Sequence, residues 1–534
     1  MRVALTARSF TRRRGRQAKT FANLSAKEQA QLSAAIQTSI ARNQASEFIR
    51  KQQQGLGKPV IATKHQGHQV VAVGNTVFFS KKWKTFPDFL SEYLKHVLGK
   101  EYFTAEIAKP FNDRNPLLQW CETFYEYQKQ NSTAGAQIHN AAATGIVYCY
   151  LGVAYNLYLL SHNVELQKRL VDRLKKTDQF HGAYYELIVA NILIRAGFKL
   201  ELEDESDQGN KHCEFAAISQ RSGKKYWIEA KARGVSGILG KTELTGVSAT
   251  ERDATTRLIK QINDALAKPA DSTRLIFVDV NTQWSKSEEA PNWVLKAEKR
   301  LKAKEQNLPS DKSAYIFITN ASFHLHQDSD RTRMEAFVYG LGISDFGKVG
   351  YYRYSQLYRM KQKHIDAHDV IESLKKYPAI PSTFDGGLPS ESFGITKDRS
   401  LIGETYAFPN LGVTGTLLDA VVMETEKTVT FVIRTTDGQN QLISKPLTDA
   451  ELADYKAHPE GYFGVLKQSP KPISDPLEFF EIMLAQYGKA SRPQLLALVS
   501  NNNDQEFLNS LSDEDLLIEV CDRMMVGMSF KKAV

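Results

Sequence analysis

The chain has 534 residues, enough for several hydrophobic cores. It is 42% hydrophobic and 24% charged, which excludes a fibrous or disordered chain. The formal charge is +9, but seven basic groups and no acidic one fall in the first twenty residues, leaving +2 for the rest. Net charge alone therefore does not mark the body of the chain as a polyanion binder.

Residues 1–21 form a basic arm. It suits contact with nucleic-acid phosphate, is similar in composition to a transit peptide, or is a solvated terminus; these readings stay open. Cys121, Cys149, Cys213 and Cys521 lack CxxC spacing, which argues against a disulfide framework or zinc knuckle. With no apolar core after the N-terminal charges, a cytoplasmic protein is expected.

Residues 22–177 read as a mainly helical domain, interrupted by the β-like "PVIATKHQGHQVVAVGNTVFFS". His65 and His68 have no other ligand at suitable spacing and read as surface histidines. "NAAATGIVYCYLGVAYNLYLL", Asn140 to Leu160, carries no charge and is long enough to span a bilayer. Thr144, Asn156, four tyrosines and the amphipathic "ELQKRLVDRLKK" that follows favour a buried helix, with no membrane partner.

Residues 178–347 alternate between element types. "AYYELIVANILIRAGF" predicts an amphipathic helix closed by Gly197. "KLELEDE", "CEFAAIS" and "KYWIEAKA" predict three strands, the last two joined by the turn "QRSGK". "TERDATTRLIKQINDALA", "RLIFVDV", "NWVLKAEKRLKAKE" and "SAYIFITNA" continue as helix, strand, helix, strand, a mixed α/β sheet flanked by helices. Residues 348–390 are a charged helical connector whose His364 and His368 are expected on an exposed face. Residues 391–470 predict a small β-rich module with a turn at Asp437-Gly438, and residues 471–534 a helical tail.

Two phosphate chemistries compete in "KKYWIEAKARGVSGILGKTEL", Lys224 to Leu244. A nucleotide-cradling loop needs a glycine five residues before Gly240-Lys241-Thr242, but that position is Val235. The polar, Gly246-interrupted stretch after it does not predict the required helix. A nucleotide hydrolase built on Lys241, with Asp279 imitating a magnesium-holding aspartate, is the third reading.

Phosphodiester hydrolysis instead needs a cation, a deprotonated water and their alignment. Glu229 and Lys231 point the same way from "WIEAKA", because strand side chains alternate. Glu214, one turn upstream, is expected on the paired strand, and Glu186 on the preceding helix. Glu-x-Lys occurs once in the chain, at Glu229-Ala230-Lys231. At these residues, within about 140 residues, the chain resembles the PD-(D/E)xK nuclease superfamily. The family's Pro-Asp is here Cys213-Glu214, with Asp204 or Asp207 as substitutes under another register.

The resemblance implies a central restriction-endonuclease-like sheet between the helical N-terminal domain and the β-rich and helical C-terminal region. It implies Mg²⁺, with Mn²⁺ as a substitute, on Glu214 and Glu229. Lys231 would orient or activate the attacking water, and Glu186 would add a ligand or hold a water. The plainer alternatives are a solvent-facing Glu186 and a structural Glu229–Lys231 ion pair. Arg233, Lys241, Arg257, Lys260 and Gln261 are candidate phosphate contacts, with DNA favoured over RNA as partner. By analogy, such an arrangement suits a prokaryotic restriction or phage-defence effector, as a homo-oligomer or within a defence complex. A catalytically inactive, nucleic-acid-binding scaffold is the alternative.

Overall fold

The computed structural model describes residues 25–135, 138–139, 141–202, 214–233, 253–284, 290–330, 333–348, 350, 352–396, 399–467, 473, 475–499 and 504–529. The basic arm, Cys213, Asp204, Asp207 and Lys241 lie outside them. The chain divides into two compact units, Met1–Ile49 with Ile395–Pro470 and Arg50–Gly394 with Lys471–Val534. The first helix, α1 (Ala26–Gln54), has residues in both.

The larger unit begins with an antiparallel sheet, β1 (Ile61–His65), β2 (His68–Val73) and β3 (Thr76–Ser80). Helices α2 (Phe86–Leu98), α3 (Lys100–Ile107), α4 (Pro116–Gln130), α5 (Gly145–Leu159), α6 (Val164–Leu174) and α7 (Thr177–Arg195) follow. The uncharged α5 is buried nearly throughout, and among the described residues no helix is long and apolar enough to cross a membrane. The expected amphipathic helix, α7, is instead buried on almost every side. It lies in one core cluster with α2, α4, α5 and the next sheet, so even its polar Asn191 is enclosed and donates to Asn156 Oδ1 at 2.6 Å.

That sheet has six strands, ordered β4 (Phe198–Glu201), β5 (Phe215–Ser219), β6 (Lys225–Ala232), β7 (Arg274–Asp279), β8 (Ala314–Asn320) and β9 (Glu335–Leu341). The pairs β4/β5, β5/β6 and β8/β9 are antiparallel, whereas β6/β7 and β7/β8 are parallel. The parallel pairs require crossovers, supplied by α8 (Leu258–Leu266) and α9 (Asn292–Glu305). Alternation divides β7 cleanly: Leu275 and Phe277 join the α7 side, and Ile276 and Val278 pack with α8 and α9.

The connector is two helices, α10 (Tyr354–Lys363) and α11 (Ile365–Lys375), rather than one exposed rod. His364, expected at the surface, is 5% exposed, meets the Tyr315 hydroxyl at 2.7 Å and Asp345 at 3.0 Å. Asp366 of α11 accepts from Ser219, Ser222 and Tyr226, binding α11 to the β5–β6 hairpin. After the short α12 (Pro389–Ser392) comes the smaller unit's antiparallel sheet, β10 (Thr405–Phe408), β11 (Val413–Met423), β12 (Thr428–Thr435) and β13 (Asn440–Pro446). Gly438 makes the β12–β13 turn at φ +86°, a conformation that suits glycine. Leu417, Phe431 and Ile433 form that sheet's buried face. A capping box between Thr448 and Glu451 starts α13 (Asp449–Ala457). The tail returns to the larger unit as α14 (Pro476–Tyr487), α15 (Arg492–Leu498), α16 (Gln505–Ser510) and α17 (Asp513–Ser529), with Phe480, Met483, Ile518 and Cys521 packed together.

Candidate active site

The β5–β6 hairpin brings the expected trio together. Phe215 pairs with Ile228, so Glu214, just before β5 rather than on it, comes opposite Glu229; its amide donates to Ile228 O at 3.0 Å. Ile228 and Ala230 belong to the core cluster with α7. Glu229 and Lys231 therefore face the α8 side. Lys231 Nζ lies 2.5 Å from Glu229 Oε1 and 3.0 Å from Glu214 Oε1. The first contact is an ion pair without hydrogen-bond alignment, and the second is a hydrogen bond.

The remaining partners come from elsewhere. Lys268, just after α8, holds Glu229 Oε2 at 2.8 Å. Arg169 of α6 lies 3.9 Å from Glu214. One helical turn on, Arg173 grips Glu186 with two hydrogen bonds of 2.5 and 2.8 Å. Three carboxylates thus interlock with four cations. The Arg169–Arg173 spacing of four on the amphipathic "ELQKRLVDRLKK" is the sequence signal that points to them. Lys268, in the polar "LAKPADS", carries no such signal.

Glu186 is 5% exposed, so it is not the solvent-facing residue of the plainer reading. Burial raises its pKa, against the pull of Arg173 and with a further push from Glu214's charge. Burial also opposes charge on Lys231, but Glu229 and Glu214 outweigh it and hold its pKa well above the usual lysine range. Lys231 is consequently an ammonium at neutral pH, able to donate and orient but not to take a proton.

Of the expected phosphate contacts, Arg233 follows β6 with its guanidinium 3.4 Å from the carbonyls of Val280 and Asn281. Gln261 reaches Ala232 O, also at 3.4 Å. Arg257 precedes α8, and Lys260 pairs at the surface with Asp264. Beside them, Asp279 ends β7 opposite Ala232. Burial pushes its carboxyl up to about 7, even though Ala321 N and the Thr319 hydroxyl donate to it.

The hard oxygen donors of Glu214 and Glu229 already share one cation, Lys231, and magnesium is commonly held by one or two carboxylates completed by water and phosphate. Two carboxylates fit that limited role; Glu186, committed to Arg173, does not join them. Among the described residues no group of three or more His, Cys, Asp or Glu side chains is placed to hold a metal ion. No known protein family, no curated protein and no solved structure matches the chain.

Proposed function

We propose that the chain is a Mg²⁺-dependent nuclease acting at Glu214, Glu229 and Lys231. The observation that carries this reading is Lys231 Nζ within 3.0 Å of both carboxylates, Glu214 just before β5 and Glu229 on β6. The order of α7, three antiparallel strands, α8 and a parallel strand agrees with the resemblance. Glu214 and Glu229 would hold the metal, which supplies charge neutralisation at the scissile phosphate. Lys231, kept protonated, orients the attacking water or a phosphate oxygen by donating to it. Arg169 and Lys268 offset the negative charge of Glu214 and Glu229. DNA is the favoured substrate, and a restriction or defence role follows only by analogy.

A second reading, a nucleic-acid-binding scaffold that cuts nothing, is favoured by one feature: Lys231 and Lys268 already engage both oxygens of Glu229. The two are separated by incubating the full chain with single- and double-stranded DNA and RNA, with and without Mg²⁺. The nuclease reading expects cleavage by wild type only with metal, and none by Lys231→Ala. Binding without cleavage in every condition would leave the scaffold.

A further inference from the structure

The small β1–β3 sheet has two unlike faces. Val71 and Val73 are buried in the core and Phe78 packs against it. On the opposite face, Ile61 pairs across Ala72 to Val77, and Thr63 across Val70 to Phe79. Ile61 is 63% exposed, Val77 59% and Phe79 66%. His65 and His68 end the same face, with the His68 ring edge-on to Phe79 at 5.8 Å. An apolar sheet face left to water is unusual in a unit with a large core, and marks a contact surface.

Charge narrows the partner. Residues 48–87 contain seven Lys or Arg and no Asp or Glu, a basic run hidden within the nearly neutral body of the chain. Lys58, Lys64, Lys81, Lys82 and Lys84 are exposed, and among the described residues none of the five makes an ion pair. Lys81 and Lys82 follow β3 directly, at the end of the sheet where His68 lies, whereas Lys64 alternates to the other face. An exposed apolar face with lysines beside an exposed aromatic ring suits a partner that is anionic along its length and offers flat apolar rings.

We propose that the outer face of β1–β3 docks single-stranded nucleic acid, with a base stacked on Phe79 and the backbone drawn along Lys81 and Lys82. Unstacked bases are available only in single strands, and base–aromatic stacking with a basic track is the general solution for holding them without sequence preference. This surface is separate from hydrolysis, since binding requires neither Glu229 nor Lys231.

The test is fluorescence anisotropy of the full chain in EDTA, with a labelled oligothymidylate of about 20 nucleotides and a duplex of equal length. Wild type should prefer the single strand. Phe79→Ala should weaken single-strand binding roughly tenfold, with the circular dichroism spectrum unchanged because the ring is exposed. The charge reversals Lys81→Glu with Lys82→Glu should weaken binding further and flatten its salt dependence. Equal binding by Phe79→Ala and wild type, a preference for duplex, or binding to phosphatidylserine vesicles in place of oligonucleotide would each overturn the proposal. Wild type that binds single strands but cuts nothing with Mg²⁺ would defeat the nuclease reading and leave this one standing. Mg²⁺-dependent cleavage with Phe79→Ala binding like wild type would do the reverse.

Discussion

Glu229 is 1% exposed and held by two ammonium groups, so its replacements differ in stability before they differ in activity. Glu229→Ala strands Lys268 beside a void and leaves Lys231 with Glu214 alone, and breaking such a buried pair costs about 3–5 kcal/mol. Lys231→Ala leaves Glu229 paired with Lys268 and Glu214 near Arg169, so urea unfolding should show a clearly smaller loss. Equal losses would contradict the pairing of Lys268 with Glu229. Glu229→Gln keeps the shape and is the better probe of chemistry. Asp279 gives a pH signature. Its pKa rises in the fold from 3.8 to about 7, so between those values the folded chain keeps a proton the unfolded chain has released. Its contribution to stability is present at low pH and lost as pH rises through about 7. His181, lowered to about 4 by burial, acts in the opposite sense below the ordinary histidine range, so comparison with a variant isolates the aspartate. The Tm of Asp279→Asn relative to wild type should therefore rise between about pH 5 and pH 8; a constant difference would refute the buried titration. The trio of Glu214, Glu229 and Lys231 was legible because strand alternation and a short turn are local rules. Arg173, which takes Glu186 out of the expected ligand set, and Lys268 act across tertiary contacts that no local pattern encodes.

At the scale of elements, α5 contains a built-in comparison. A Cβ on Gly145 would run into the backbone carbonyls of His326 and Phe323, whereas one on Gly152 meets nothing within 4 Å. Gly145→Ala should destabilise the chain by about 1–3 kcal/mol through overpacking against backbone. Gly152→Ala, mid-helix, should stabilise it by about 0.5–1 kcal/mol. Calorimetry showing the same sign for both would contradict the packing described. Strands β5–β8 and helices α8 and α9 were readable from apolar period and turn residues. Strand β9 was not read, although "AFVYGL" is an apolar run; its burial does not alternate cleanly. The connector's charge predicted exposure, but the break at His364 and the anchoring of Asp366 turn α11 against the hairpin.

Over the whole molecule, the larger unit unites the helical segment and the six-stranded sheet around one core that includes α2, α5, α7 and strands β4 to β8. Composition shifts mark where element types change, but not whether neighbouring elements share a core, so the expected boundary near residue 177 falls at the start of a helix central to that core. The acid-free run around β1–β3 and the carboxylate–lysine cluster belong to this same unit. The most direct measurement of the central claim is cleavage of DNA and RNA by wild type and Glu229→Gln, with and without Mg²⁺. The account predicts metal-dependent cleavage by wild type and its loss in a Glu229→Gln chain that is still folded at the assay temperature. Cleavage undiminished in Glu229→Gln, or independent of added metal and insensitive to EDTA, would contradict it.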